Sequence, residues 1–160
     1  MTQTRVRSFS TCLVCILVLI GFASAEEKET RVKMKDLPPA VQQTVREQSK
    51  GAKIRGYSKE VEDGKTFYEV SMTVDGHGKD VLIDPEGVVV EVEEQVALKS
   101  LPSRVKDAIV KAAGKGKILI VESITKKGSV EAYEAHVVTG RKKSEIKVGA
   151  DGQLLPGEQD

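Results

Sequence analysis

The sequence predicts an α+β fold built from two tandem α-β-β-β repeats, with the helices packed on an antiparallel sheet. Three observations lead to this prediction. Apolar and turn motifs recur in the same order at a spacing of about 64 residues. Each copy opens with a Leu-Pro pair behind a polar residue, which is typical of a helix start. Each copy then alternates apolar and polar residues between glycine-containing turns, as antiparallel strands do.

The first 25 residues predict a cleavable signal peptide. Two arginines and no acidic residue precede the apolar run Cys12–Phe22, which is shorter than the roughly 20 residues needed to span a bilayer. Ala23-Ser24-Ala25 follows with the small-x-small pattern that signal peptidase reads. We therefore expect cleavage between Ala25 and Glu26 and a periplasmic or secreted protein.

Cleavage at that point would change the chemistry of the chain. It would remove Cys12 and Cys15, so that no thiol, disulfide or cysteine metal ligand is left. It would also remove two of the 25 basic residues and none of the 24 acidic ones. Such a near balance of charge offers no basic surface for nucleic acid. No second apolar segment approaches membrane-spanning length, so we expect no membrane span after cleavage.

The motif matches divide the rest of the chain into a short N-terminal tail, two repeats and a C-terminal tail. Their predicted ranges are 26–31, 32–95, 96–156 and 157–160. A repeat of about 60 residues buries little apolar surface and is only marginally stable alone. We therefore expect the two repeats to pack together into one core.

The first repeat begins with an extended lead-in at 32–35 and a helix preceded by Asp36. The helix ends near Gly51, and its apolar stripe has one residue per turn: Leu37, Val41 and Val45. Strands follow at 54–61, 66–74, 81–83 and 88–92, separated by turns rich in glycine and aspartate.

The second repeat has a lead-in at 96–99 and a helix that runs from behind Ser100 to Gly114. The apolar stripe of this helix is wider and consists of Leu101, Val105, Ala108, Ile109 and Ala112. Strands are predicted at 117–124, 130–139 and 145–148, with a stub at Leu154-Leu155. Apolar residues fall on both faces of the 117–124 strand, which indicates a central or covered strand.

Three segments of the first repeat carry a family resemblance: Asp36-Leu37-Pro38-Pro39-Ala40-Val41, Gly64-Lys65-Thr66-Phe67-Tyr68-Glu69-Val70 and Asp84-Pro85-Glu86-Gly87-Val88-Val89. The second repeat keeps Leu101-Pro102, Tyr133-Glu134 and Asp151-Gly152. In this order the segments resemble the PepSY-like family, including its beta-lactamase-inhibitor-like form, over nearly the whole mature chain. The resemblance implies a non-catalytic role in binding or restraining an extracytoplasmic protein, with a peptidase as the supposed partner. It carries over no catalytic residue and no cofactor.

The residues themselves offer little for catalysis or metal binding. His77 lies in a glycine-flanked turn and His136 on a strand, so we expect a solvated loop residue and a surface residue. Without cysteine, a zinc site would need carboxylates brought in by the fold. Ser71 and Ser123 lack a nucleophile elbow, and Glu93-Glu94 is expected in a turn or strand end, where only burial would shift its pKa. We therefore predict no catalytic residue, no metal site and no cofactor.

The remaining candidate for function is the sheet face that the helices leave open. Alternation along the strands turns one set of residues inward: Tyr68, Val70, Met72, Tyr133, Ala135 and Val137. The opposite face then presents the candidate binding residues: Phe67, Glu69, Ser71, Glu134, His136 and Val138. Such a mixture of aromatic, apolar and charged groups suits docking of a protein partner.

Two functions stay open at this point. The first is an exported non-catalytic protein-binding module, an inhibitor or regulator of a peptidase. The second is a carrier of a small ligand or envelope component held between the two repeats. A broad sheet face would favour the first, and a deep apolar pocket would favour the second.

Overall fold

The computed structural model describes residues 29–62 and 64–156. The signal peptide, its cleavage site at Ala25 and Glu26, and the C-terminal tail lie outside the described residues. The sheet has eight antiparallel strands, and each strand pairs with its neighbours in chain order. The strands are β1 Thr30–Arg31, β2 Lys53–Glu62, β3 Lys65–Val74, β4 His77–Ile83, β5 Val89–Gln95, β6 Lys117–Lys126, β7 Ser129–Thr139 and β8 Lys142–Gly149.

Two helices, α1 Pro39–Gln48 and α2 Ser103–Ala113, pack on one face of this sheet. The predicted α+β class, with helices on an antiparallel sheet, is confirmed. In both halves a short 3-10 turn leads into the helix, and three or more strands follow it. The boundaries of the two repeats, 32–95 and 96–156, stay a prediction.

Helix α1 begins later than the sequence analysis expected, and no side chain caps it. Asp36 lies instead in a 3-10 turn, Met34–Asp36, which takes up part of the lead-in predicted at 32–35, and a two-residue strand, Thr30–Arg31, lies before that lead-in.

In α1, Pro39 disfavours the helical region for the residue before it, so Pro38 stays extended at ψ 148° and the helix starts at Pro39. Helix α2 also begins later than expected, at Ser103, behind the 3-10 turn Leu98–Ser100 and Pro102, which is extended at ψ 138°.

Most of the buried apolar residues form two clusters, one under each helix, in place of the single core that was expected. Helix α1 buries Val41 and Val45 against β3 and β4, where Met72 and Ile83 are fully buried. Helix α2 buries Val105 and Ile109 against the second half of the sheet. The two halves are joined through the β5–β6 ladder, which pairs Glu91 to Gln95 with Glu122 to Lys126.

The β4–β5 turn fixes α1 on the sheet. Gly87 adopts φ +88°, and a Cβ placed on it would lie 3.0 Å from the backbone carbonyl of Ala40. The Thr44 hydroxyl donates a 2.6 Å hydrogen bond to the Gly87 carbonyl oxygen. Gly152 approaches Arg104 of α2 in the same manner and has the same φ. Each helix therefore rests on a glycine turn of its own half.

Strand β6 is central, as expected, but it is only partly covered. Its ladder with β5 reaches from Lys126 back to Glu122, so the first half of β6 pairs with β7 alone. Leu119 and Ile120 lie in this half, next to a bulge, and are 50% and 39% exposed. The apolar residues on both faces of β6 thus do not indicate complete burial.

Candidate functional site

The open face of the sheet carries a row of carboxylates along successive strands. On β3, Glu69 alternates with the buried Val70, and on β5, Glu93 alternates with Val92, which packs on the first core cluster. On β7, Glu134 precedes the buried Ala135. Because neighbouring residues of a strand point to opposite faces, these carboxylates lie on the side away from the helices.

These side chains line one cleft of about 620 Å³, which we call the acidic cleft. Its lining consists of Glu29, Glu60, Val61, Glu62, Glu69, Asp80, Leu82, Glu91, Glu93, Lys126, Glu134, His136, Glu145 and Lys147. Nine carboxyl groups therefore face two lysines and one histidine. The chain as a whole has 24 acidic and 25 basic residues, so the excess of acid is local to this face.

Strong curvature of the sheet closes the acidic cleft. In a flat sheet, β2 and β8 would lie about 29 Å apart at the usual strand spacing. A cleft of this volume nevertheless receives Glu60 from β2 and Glu145 from β8. The sheet must therefore bend so that its open face is concave, as twisted antiparallel sheets do.

The structure brings together three of the six residues predicted for the binding face. Glu69, Glu134 and His136 line the acidic cleft. Ser71 lies beside it and donates a 2.7 Å hydrogen bond to the Glu69 carboxylate. Phe67 lines an adjoining opening.

Val138, the last of the six, is absent from the lining of the cleft. It is half-buried near the end of β7, where it pairs with Lys143 of β8.

The adjoining opening measures about 600 Å³ and is the more apolar end of this face. Phe67, Leu82 and Val90 contribute to its lining, and Leu82 lines the acidic cleft as well. Farther along the same face, Ile124 and Ala132 pair across β6 and β7 and are 1% and 4% exposed. The concave face therefore combines carboxylates with buried apolar residues and is not an ordinary solvated sheet surface.

Sequence reasoning missed several carboxylates of the acidic cleft. Glu93-Glu94 was expected in a turn or strand end, but both residues lie within β5, with Glu93 in the cleft and Glu94 paired with Lys79 at 2.8 Å. Glu60 and Glu91 also line it. The sequence did contain a signal for these carboxylates: Glu60 and Glu62, and likewise Glu91 and Glu93, are two residues apart. Residues two apart on a strand lie on the same face of the sheet.

Burial raises the pKa of Glu93 from 4.5 to about 8. This pKa is raised further by the negative charges of four neighbouring residues, because they disfavour ionisation of Glu93: Glu91, Glu122, Glu134 and Asp80. Glu93 therefore keeps its proton at neutral pH. A protonated carboxyl can donate a hydrogen bond into the cleft as well as accept one.

The pKa of Glu60 is also raised to about 8, first by burial and then by the charge of Glu69 and a hydrogen bond with it. Glu62 and Glu29 add smaller repulsions. Ser58, which is buried, donates to the Glu60 carboxyl at 3.4 Å. On the β2–β3 side of the cleft, the Glu60 carboxyl thus keeps its proton at neutral pH and is hydrogen-bonded to Glu69.

Basic side chains offset only part of the negative charge. Lys126 lies 2.6 Å from Glu91, and this hydrogen bond raises the pKa of the lysine. Arg55 pairs with Asp80 at 2.8 Å. Lys147 lies 3.9 Å from Glu134. After burial, neighbouring carboxylates still contribute to the raised pKa values of Glu60 and Glu93 despite these pairs.

The β7–β8 end of the cleft holds the residues best suited to a metal ion. Glu134, His136 and Glu145 each offer a ligand atom, and these atoms lie within 4.8 Å of one another. Glu122 is also close, with its Oε2 3.1 Å from His136 Nε2. The fold thus supplies the carboxylates that the sequence analysis judged necessary and did not foresee.

Comparison with known proteins shows a shared fold. No protein-family model matches the chain, and no curated protein matches it in sequence. A protein described as periplasmic from Bacteroides eggerthii aligns with a TM-score of 0.61 and 17% identity, over 76% of this chain and 88% of that one. A DUF2874 family protein from Bacteroides ovatus aligns with a TM-score of 0.57 and 22% identity, over 76% of this chain and 86% of that one. A BLIP-like protein from Bacteroides fragilis aligns with a TM-score of 0.54 and 21% identity, over 76% of this chain and 86% of that one.

The first of these three structures is described as periplasmic, and none of the three is named as an enzyme. The BLIP-like name agrees loosely with the beta-lactamase-inhibitor-like resemblance. The narrower PepSY-like assignment and the tandem duplication stay predictions. In the part of the chain that is described, no helix has the length and apolar character needed to cross a bilayer.

Proposed function

We propose that this chain is an exported, non-catalytic module that binds a protein through its acidic cleft, and that its partner inserts a basic segment. The observation that carries the proposal is the set of nine carboxyl groups on one concave face. Two of them have a pKa raised by burial first and then by the charge of neighbouring carboxylates, so negative charge is concentrated on this face. Lysine and arginine side chains of a partner would offset that charge.

The shape of the face favours a protein over a small ligand. Side chains from β2 to β8 contribute to the cleft, so its contact surface is spread over most of the sheet. The carrier hypothesis called for a deep apolar pocket between the two repeats. The space between helices and sheet is instead filled by the two apolar clusters. Protein binding therefore remains the better-supported function.

The hydroxyl groups considered as nucleophiles are engaged in other contacts. Ser71 donates to the Glu69 carboxylate, and Ser123 is buried with its hydroxyl 3.4 Å from the Glu94 carbonyl oxygen. Neither hydroxyl is hydrogen-bonded to a histidine, the arrangement that activates a serine. This supports a binding role over catalysis.

The partner class follows from the resemblance and from charge together. The beta-lactamase-inhibitor-like resemblance favours an extracytoplasmic enzyme, and a peptidase is the class we propose. The acidic cleft adds the requirement of a basic, protruding segment on that enzyme.

The repeated contact of a turn glycine with each helix, at Gly87 and at Gly152, further supports an origin of the fold by duplication.

Affinity capture with paired variants tests this function. The purified protein is immobilised and exposed to the exported fraction of its source cells, next to a Glu69→Lys variant. The control is Asp107→Lys, which makes the same charge change at an exposed position on α2. We expect one or more basic proteins on the wild type and on the control, and their loss on Glu69→Lys. Equal capture by all three folded proteins would contradict a role for the acidic cleft.

A further inference from the structure

We propose that Glu134, His136 and Glu145 form a binding site for a divalent transition-metal ion of the Zn²⁺ type. This site does not depend on the proposed protein partner, because it is defined by ligand geometry at one end of the cleft. The first argument is the strand register. Glu134 and His136 are two residues apart on β7, and Glu145 lies directly opposite His136 on β8.

This register makes the three side chains neighbours on a firmly paired hairpin. β7 and β8 are joined by eight consecutive residue pairs, from Ala132↔Gly149 to Thr139↔Lys142. Residues at i and i+2 of a strand and the cross-strand partner share one face. The ligand atoms lie within 4.8 Å of one another, so small side-chain rotations bring them to a common ion at about 2.0–2.2 Å.

The second, independent argument is the surroundings of the His136 ring. Its Nδ1 lies 3.2 Å from Glu145 Oε1, and its Nε2 lies 3.1 Å from Glu122 Oε2 and 3.7 Å from Glu134 Oε1. A neutral imidazole has one N–H donor and one lone pair. One ring nitrogen therefore turns its lone pair toward a carboxylate unless a cation occupies the space between them. A metal ion between the ring and the carboxylates would satisfy this arrangement.

A metal ion fits the wider arrangement of side chains. With Nδ1 on the ion, the Nε2–H group donates to Glu122, and a carboxylate in that position orients a metal-binding histidine. Imidazole nitrogen with carboxylate oxygens suits Zn²⁺ and similar transition ions, whereas Ca²⁺ and Mg²⁺ prefer oxygen ligands alone. Lys147, 3.9 Å from Glu134, is the positive charge that an ion would have to compete with.

The test is calorimetric titration of untagged protein with Zn²⁺, since a histidine tag would itself bind the ion. We expect about one equivalent to bind to the wild type. His136→Gln should weaken binding by about 10–100-fold or more, because losing a ligand costs at least as much as losing the group that orients it. His77→Gln is the matched control, since it removes the second histidine of the chain, the exposed first residue of β4, and should leave binding unchanged.

Two further variants separate a built site from general attraction to an acidic surface. Glu145→Gln should weaken Zn²⁺ binding, and Lys147→Gln should tighten it by removing the competing charge. Zn²⁺ should also raise the melting temperature of the wild type and not that of His136→Gln, since a ligand of the folded state stabilises it. Unchanged Zn²⁺ affinity in a folded His136→Gln variant would overturn the proposal. So would equal displacement of Zn²⁺ by the same concentration of Ca²⁺, because that indicates binding by carboxylates alone.

Discussion

Replacing Glu93 by glutamine should stabilise the protein at pH 8 and have little effect at pH 4.5. Burial and the surrounding carboxylates raise the pKa of Glu93 from 4.5 to about 8 in the folded chain. A carboxyl whose pKa is raised by folding favours the folded state below pH 4.5, and this contribution is lost as the pH rises to 8. Glutamine keeps the shape and hydrogen-bonding capacity of the protonated side chain and cannot ionise.

The size of the effect follows from the two pKa values. At about 1.36 kcal/mol per pH unit, the rise from 4.5 to about 8 corresponds to at most about 5 kcal/mol. Water at the cleft mouth screens part of this, so we expect Glu93→Gln to gain about 2–3 kcal/mol in free energy of unfolding at pH 8. Most of this gain should appear between pH 5 and pH 8.

Urea denaturation followed by circular dichroism at pH 4.5, 6, 7 and 8 measures this difference. The control is Glu94→Gln, which removes a carboxylate one residue away that is paired with Lys79. This exposed ion pair should be worth about 0–1 kcal/mol. The reasoning is refuted if Glu93→Gln tracks the wild type at every pH, or if both variants show the same pH profile.

Three other predictions address the faces, the helix contact and processing. Tyr68→Asp should lower the free energy of unfolding by about 2–4 kcal/mol, because the ring packs on the core cluster under α1. Phe67→Asp, on the open face, should lower it by less than about 1 kcal/mol in thermal unfolding. The reverse order would invert the face assignment. Gly87→Ala should destabilise the protein by about 1–3 kcal/mol in urea denaturation. Gly64→Ala should cost less, because Gly64 has a similar positive φ but no neighbour within 4 Å of an added Cβ. Equal losses of stability in the two variants would contradict the contact between Gly87 and α1. Intact-mass analysis of exported protein should give a chain that begins at Glu26, and a product that retains Cys12 would contradict cleavage there.

Local sequence patterns carried much of the fold. Alternation predicted the inward position of Val70 and Met72 correctly, since both are fully buried on β3. Glycine placed the end of α2, where Gly114 adopts φ +56°. The start of α1 was misjudged, because the restriction that proline imposes on Pro38 outweighed the helix-start pattern at Asp36.

The candidate site was harder to predict, because it depends on curvature and long-range register. Strand parity was enough to place Glu69 and Glu134 on the open face. It could not show that the sheet bends until Glu60 and Glu145, five or more strands apart, line one cleft. The pairing of His136 with Glu145 was within reach, since a hairpin centred on Gly140-Arg141 brings them opposite each other. That inference needed the hairpin register and not composition.

The most direct test of the central claim is a titration of isotope-labelled protein with a short lysine-rich peptide, followed by amide chemical shifts. The peptide stands in for the basic segment of the partner. At low salt, we expect shifts at amides of β3, β5 and β7 around Glu69, Glu93 and Glu134, and few on α1 or α2. About 0.5 M salt should abolish them, since screening acts on charge–charge contacts at an open cleft. Shifts confined to the helices, or none at low salt, would contradict the account.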